Sequence, residues 1–487
     1  MLEREDFKYH SEAIVQWINN YFKNIESLPV KSNVKPGDIY KLFSKAPPLT
    51  GITTDEILRQ LDDKILPGMT HWQHPHFHAY FPGNASTESL LAEMVTSALA
   101  AQCMIWETSP SAAELEQLVT EWLASMLSLP KGMEGVIQDT ASTASLAAIL
   151  TARERVTNFQ SNKIGVPGNL RIYTSAEAHS SIEKAVAISG IGTANLIKIA
   201  VDRNMAMDPA YLELQIVQDI KDGYRPCCII ATTGTTGTMG IDPILPIGKI
   251  ASKYGVWLHI DGAYAGTAAI LPEYHWMIEG IQFADSFVFN PHKWMFTQFD
   301  CSILFVKHPD ELIRCFEVNP EYLNTSTRGL VNDYRDWGIP LGRRFRALKL
   351  WWVICSYGVE GIRQKLRNHI RFNTIFAEKI DNMREWDHVT PPFLNFSCIR
   401  WNPAECKNEE EVNQWNKILL EYINQSGKAY LSHTKVNERF AIRVVLGQTY
   451  IQEKHVHQLL HIIIQAMDKV RENMQEGKPP KTPKQEK

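Results

Sequence analysis

Between residues 7 and 25 apolar side chains recur every three or four positions, at Phe7, Ile14, Val15, Ile18, Tyr21 and Phe22. That spacing predicts an amphipathic helix. A stretch punctuated by Pro29, Pro36, Pro47 and Pro48 follows, so the helix opens an irregular arm. From about residue 84 the pattern changes. Segments 85–101 and 111–127 read as helices, and short continuous apolar runs then recur at 171–174, 196–200, 227–233, 256–261, 286–290 and 302–307. Helical stretches over 142–156, 181–189 and 246–254 separate several of these runs. Continuous apolar strands alternating with helices predict a parallel sheet covered by helices on both faces, an α/β fold. Beyond about Phe345 come long amphipathic helices, then a smaller strand–helix unit whose last helix covers 455–470.

The division this predicts is an N-terminal helical arm over 1–83, a large α/β domain over 84–365 and a small C-terminal α+β domain over 366–470. A polar Pro/Lys-rich tail over 471–487, read as frayed, completes it. At 487 residues the chain has ample length for such a core. A net charge of -4 lacks the basic excess of a nucleic-acid binder. Eight cysteines without a CxxC pair, and a start without an apolar signal core, predict reduced thiols in a cytoplasmic protein. No run of about 18 apolar residues suggests a membrane span.

In an open α/β sheet, ligands bind beyond the carboxyl ends of the strands. The run 256–261 ends in Asp261, and the run at 286 ends in Asn290-Pro291-His292-Lys293-Trp294. Asp at a strand end is commonplace. A lysine directly after a buried strand is not, since lysine is seldom buried unless paired or chemically used. Partial desolvation lowers its pKa and makes its amine a nucleophile toward aldehydes. Pyridoxal 5′-phosphate (PLP) needs such a lysine for a Schiff base, an acid for its pyridine nitrogen and a phosphate site. Lys293 and Asp261 supply the first two. Gln138-Asp139-Thr140-Ala141-Ser142, just before a helical stretch, offers hydroxyls and free N–H groups as an anion site, although an ordinary N-cap looks the same. A Gly/Thr loop, Thr233 to Gly237, closes another strand, and His179 lies at a strand-to-helix transition where it could stack on an aromatic cofactor. The histidines at 71, 74, 76 and 78 lack any zinc pattern, and Pro75 spoils a helical ligand face, so no metal site is expected.

Taken together these residues resemble the aromatic L-amino acid decarboxylases, group II PLP-dependent decarboxylases of fold-type I. The resemblance runs collinearly from about residue 7 to 470. Its blocks are YFPGNAS, SPSAAELE, AEAHSS, GTTGT, HIDGAYAG, NPHKWMFTQFDCS and DYRDWGIPLGRRFRALK. It implies that Lys293 carries the cofactor, that Asp261 faces the pyridinium nitrogen, and that His179 and Ala263 flank the ring. Thr140, Ala141, Ser142, Asn290 and His292 match positions that hold the phosphate, and Thr236 one near the ring substituents. Tyr322 matches the tyrosine of a loop that closes over the site and protonates the product carbon, with Tyr334 a weaker match. Trp72, Tyr80, Phe81 and Pro82 match the aromatic wall that receives the substrate side chain. The resemblance further implies a homodimer with shared sites and an arm that crosses to the partner.

Several positions depart from the family pattern. Gly262 stands where alanine is usual, and Asp139 where glycine is usual. A carboxylate beside a phosphate is unfavourable, so Asp139 is expected to pair elsewhere or the backbone to differ. Gly83, Gln102 and Met104 replace a threonine and two apolar residues of the side-chain pocket, and Gly342 leaves room for an indole. The implied substrate is therefore an aromatic L-amino acid: tryptophan or 5-hydroxytryptophan, tyrosine or DOPA, or phenylalanine. An aromatic acetaldehyde synthase is the nearest alternative. In that branch the loop tyrosine or the stacking histidine is replaced, and both Tyr322 and His179 are retained here. A non-catalytic PLP-binding dimer is the other.

Overall fold

The fold was analysed in a computed structural model that describes residues 6–318 and 330–475. It divides into two compact units. One comprises the chain to Pro82 together with the chain from Arg371, and the other is Gly83–Ile370.

The second unit holds a seven-stranded sheet of β1 (Glu134–Gln138), β2 (Leu170–Ser175), β3 (Leu196–Ile199), β4 (Arg225–Thr232), β5 (Trp257–Asp261), β6 (Ser286–Phe289) and β7 (Ser302–Val306). Its order is β1-β7-β6-β5-β4-β2-β3. The β3-β2-β4-β5-β6 stretch is parallel throughout. The apolar runs of β4, β5 and β6 were readable because strands buried on both faces need no polar alternation. β5, β6 and β7 are buried at every residue. The sheet is thus mainly parallel, as expected, and at one edge β7 runs antiparallel to both β6 and β1.

Helix Ala141–Val156 runs against this sheet and buries ten of its sixteen residues, too many for a one-sided amphipathic helix. Leu146, Ile149 and Ala152 pack with Ile172, Ile182, Cys228, Ile230 and Trp257. Ala144, Ala147 and Ala148 pack instead with Val136, Val288 and Leu304. Small alanines on that face let the helix lie close to β6 and β7. Helix Thr87–Leu99 starts from Ser86, whose hydroxyl accepts the Ser89 N–H at 3.2 Å. Helix Pro110–Met126 starts with proline at its first position, where no backbone donor is lost.

The first unit is built on a four-stranded antiparallel sheet, order β10-β11-β9-β8, from β8 (Trp386–Phe393), β9 (Phe396–Trp401), β10 (Ser432–Val436) and β11 (Arg439–Val445). Helices Glu409–Gln425 and Glu453–Gln475 cover it through Ile418, Leu419, Ile423, Val456, Leu459 and Ile463. The last helix continues past Arg471, where the sequence suggested a frayed tail. Arg471 is held there by Glu385 and stacks over Trp401. The arm's helix Phe7–Asn24 forms as its periodicity predicts, yet none of its residues is buried.

The histidine run belongs to this unit, and all four rings are buried. His71 Nδ1 meets the Tyr21 hydroxyl at 2.9 Å, and His74 Nδ1 accepts the His76 N–H at 2.9 Å. His76 Nε2 lies 3.1 Å from Gln458 Oε1, and His78 Nδ1 lies 3.1 Å from the Val445 carbonyl. These are packing histidines with hydrogen-bonding roles. Desolvation holds His74 and His76 down to about 4, so both are neutral at neutral pH.

Candidate active site

The candidate site lies at the carboxyl ends of the parallel strands of the second unit. Strand β5 ends on Asp261, and the chain then turns so that the Ala263 N–H donates to Asp261 Oδ1 at 3.0 Å. The Ala263 carbonyl in turn accepts the Asn290 N–H at 3.1 Å, joining the end of β5 to the end of β6. Asn290 begins the short helix Pro291–Trp294, which presents Lys293. The ends of two consecutive, paired strands thus bring Asp261 and the turn of Lys293 together.

Lys293 keeps some solvent contact as a residue, while its amine lies deep within the protein. Desolvation lowers its pKa, and the charge of Asp261 opposes that shift only in part. An amine so placed is nucleophilic nearer neutral pH than a surface lysine. His179 responds to the same two groups. Its pKa is lowered by desolvation first, raised by Asp261 and lowered again by Lys293. The three residues therefore share one electrostatic environment. His179 precedes helix Ser180–Ile188, and its Nδ1 accepts the Ser181 N–H at 3.2 Å and meets the Ser181 hydroxyl at 2.8 Å. That fixes the ring against the helix start and leaves Nε2 directed away from it.

His292 is buried and accepts the Cys301 N–H at 2.9 Å through Nδ1. Desolvation and the neighbouring Lys293 push it down to about 3, so it is a neutral ring. Asn290 accepts the Ser302 hydroxyl at 2.6 Å. Thr140 precedes helix Ala141–Val156 without capping it, and Ala141 and Ser142 fill the first turn, where backbone N–H groups lack helical partners. Asp139 pairs locally: its Oδ1 accepts the Thr140 N–H at 2.6 Å. Thr236 lies in a loop braced by the Thr235 hydroxyl, which accepts the Gly240 N–H at 2.8 Å. The loop is tied to β5 by the Thr233 N–H on the Asp261 carbonyl at 2.9 Å. Gly234 turns it at φ 93°, where a Cβ would lie 2.4 Å from the Ala265 Cβ.

Gly262 has a packing explanation. A Cβ there would meet Phe287 Cε2 at 2.7 Å and Thr233 Cγ2 at 3.1 Å, so the usual alanine does not fit beside this phenylalanine. Gln102 and Gly342 are neighbours. Gln102 Oε1 accepts the Arg343 N–H at 2.7 Å, and a Cβ on Gly342 would lie 3.2 Å from Gln102 Nε2. The Met104 carbonyl accepts the Arg335 N–H at 2.9 Å. Gly83 lies near the His292 carbonyl, 3.9 Å from where its Cβ would be. Tyr334 is buried against Trp337, a packing position. Tyr322 lies outside the described residues.

In the first unit, Trp72 stacks on Tyr80 with ring centroids 6.0 Å apart and on Phe77 at 4.4 Å. Tyr80 meets the Tyr430 hydroxyl at 3.0 Å, Arg443 lies over the Phe81 ring at 5.4 Å, and Pro82 is buried.

Two residues escape the sequence reading. Asn84 is buried; its backbone N–H donates to the His292 carbonyl at 2.9 Å and its Nδ2 to the Lys293 carbonyl at 2.5 Å. It clamps the turn that bears the lysine. His259, two residues before Asp261, is fully buried between Ser145 and Ser286. The Ser286 oxygen accepts the Trp257 indole N–H at 2.9 Å, so its own hydrogen points to His259 Nδ1. His259 then donates from Nε2 to Ser145 at 3.0 Å, fastening helix Ala141–Val156 to β5. Asn84 sits in the quoted YFPGNAS block, but nothing local marks its contact 209 residues away.

A deep amine of lowered pKa, a carboxylate and an imidazole in its field, and open helix donors form a donor set suited to a phosphorylated pyridine aldehyde. Comparisons with known proteins bear on the same chemistry. Residues 36–399 match the pyridoxal-dependent decarboxylase conserved domain. Phenylacetaldehyde synthase of Arabidopsis thaliana is 39% identical over 472 residues, 95% of this chain and 96% of that protein. Tyrosine decarboxylase 4 of Petroselinum crispum is 37% identical over 468 residues, 93% of this chain and 92% of that protein. The crystal structure of Oryza sativa TDC with PLP and tryptamine superposes with a TM-score of 0.93 at 33% identity, covering 96% of this chain and 99% of that one. The chain belongs to the pyridoxal-dependent decarboxylase family.

Proposed function

We propose that this protein decarboxylates an aromatic L-amino acid to the arylalkylamine and CO2, with PLP held on Lys293. The observation that carries the reading is the enclosed Lys293 amine at the end of β6, sharing its field with Asp261 and His179. When bound, PLP supplies a conjugated ring that accepts the electron pair released as the carboxylate leaves. The chain's residues do the rest. Lys293 anchors the cofactor and later helps release the amine. Asp261 keeps the pyridine nitrogen protonated, and the bond it accepts from Ala263 holds its carboxylate in place. His179, neutral and fixed by Ser181, would flank one face of the bound ring and Ala263 the other. Thr140, Ala141, Ser142, Asn290 and His292 receive the phosphate, and Thr236 the ring substituents. Tyr322 delivers the proton to the product carbon as general acid.

The substrate side chain is assigned to Trp72, Tyr80, Phe81, Pro82, Gly83, Gln102, Met104 and Gly342, which leaves an indole and a phenol both admissible. The domain reading of an arm over 1–83, a cofactor domain over 84–365 and a small domain over 366–470 stands beside this as part of the proposal. Homodimerisation is supported by the arm. Helix Phe7–Asn24 has no fully buried residue and exposes Phe7, Ile14, Val15 and Phe22, which a second copy of the chain would cover. No helix among the described residues is long and apolar enough to cross a membrane. Eight unpaired cysteines, six of them buried, agree with a reducing compartment such as the cytoplasm.

A second reading has support in the phenylacetaldehyde synthase likeness: decarboxylation followed by oxidative deamination. One experiment separates them. The purified protein is given PLP and a panel of aromatic L-amino acids while CO2, amine, aldehyde and oxygen uptake are followed. The proposal expects amine and CO2 in equal amounts without oxygen consumption. Aldehyde and peroxide in step with CO2 establish the second reading, and no CO2 from any member refutes both.

A further inference from the structure

The phosphate segment of this chain already carries an anion of its own. Thr140 precedes helix Ala141–Val156, and the first-turn donors of that helix are what an incoming phosphate would use. The Thr140 N–H is taken by Asp139 Oδ1 at 2.6 Å, and the Thr140 hydroxyl points to the same oxygen at 3.3 Å. The hydroxyl also lies 3.3 Å from that of Thr143, so the polar groups of the turn are organised around the carboxylate. Positive charge nearby is largely committed. Arg346, which feels Asp139 electrostatically, makes two hydrogen bonds to Asp300 at 2.8 and 3.3 Å. The buried His292 is a neutral ring and offers no offsetting charge.

We propose that Asp139 is a built-in competitor for the cofactor's phosphate, seated on the Thr140 donors beside the helix start and repelling its charge, so that this chain holds PLP more loosely and exchanges it more readily than its fold requires. The proposal rests on the assignment of PLP to this site. Two terms act in the same direction: the Thr140 donors must be surrendered by Asp139, and a dianion must settle beside a carboxylate. Both terms act on the phosphate and leave the rest of the cofactor untouched.

The test uses the full-length chain freed of cofactor and titrated with PLP and, separately, with pyridoxal, which lacks the phosphate. Asp139→Asn keeps the shape and the accepting oxygen and removes the charge. Asp139→Gly also frees the donors. The expected result is that Asp139→Asn tightens PLP binding by about ten-fold at low salt, with a smaller gain at high salt, and leaves pyridoxal unchanged. Asp139→Gly should bind PLP at least as tightly as Asp139→Asn. Inorganic phosphate alone should bind the cofactor-free variants at lower concentration than it binds cofactor-free wild type. Unchanged or weaker PLP binding in either variant overturns the proposal, as does an equal gain for pyridoxal. Failure of the wild-type chain to bind PLP at all would strike the underlying assignment instead, so the two failures are distinguishable.

Discussion

Asn84 gives a sharp test of how the lysine is held. Its Nδ2 donates to the Lys293 carbonyl at 2.5 Å and its backbone N–H to the His292 carbonyl at 2.9 Å, from a position only 1% exposed. Asn84→Ala removes the side-chain bond and leaves a buried carbonyl short of that partner. Such a loss costs about 1–3 kcal/mol. Asn84→Asp keeps the shape but turns an acceptor oxygen, and at neutral pH a negative charge, toward the same carbonyl. It should cost more than alanine, because desolvating a carboxylate adds to the lost bond. The backbone bond survives in both, so the turn is loosened and not released. Thermal unfolding should show both variants below wild type in the order Asn84→Asp, Asn84→Ala, wild type. The fraction of chain that takes up PLP should fall in the same order. An Asn84→Asp protein as stable and as fully loaded as wild type would refute the clamp.

Two further outcomes follow from local geometry. Gly234→Ala must place a Cβ 2.4 Å from that of Ala265 at φ 93°. Left-handed backbone and overpacking together should destabilise by roughly 2–5 kcal/mol, read as a lowered unfolding midpoint in urea; an unshifted midpoint contradicts it. The buried histidines set a pH dependence. His74, His76 and His259 are held down to about 4 by desolvation, so the folded chain stays unprotonated while the unfolded chain takes up protons below about 6.5. Stability is therefore complete above about pH 6.5 and is lost as pH falls toward 4, by up to about 1.4 kcal/mol per pH unit for each histidine. Melting temperatures from pH 8 to 4.5 should fall less steeply in His76→Gln than in wild type, and parallel curves would count against the assignment.

How much of this was legible depends on which interactions are local. The parallel strands announced themselves because both faces of β4, β5 and β6 are buried, which leaves uninterrupted apolar runs. β1 did not, since Glu134–Gln138 offers only Val136 and Ile137 as apolar residues and owes its pairing to β7, far along the chain. Lys293 and Asp261 could be read because Asp261 closes its strand and Lys293 lies in the short turn of helix that follows the next one. Asn84 and His259 could not, since their partners lie on other elements and no period marks them. The Gly262 departure was visible in sequence, but its reason, the Phe287 ring, required the packed sheet. The histidine run showed no zinc pattern in the sequence, but the groups its rings bond, Tyr21, Gln458 and Val445, lie on other elements and needed the fold.

The claim on which everything else depends is that Lys293 carries the cofactor. The yellow protein, reduced with borohydride, digested and mapped by mass spectrometry, should yield one phosphopyridoxyl adduct on the peptide containing Lys293. Lys293→Ala should show neither the adduct nor the absorbance band that reduction abolishes. An adduct on a different lysine, or a Lys293→Ala protein that keeps the band and still releases CO2, would contradict the account.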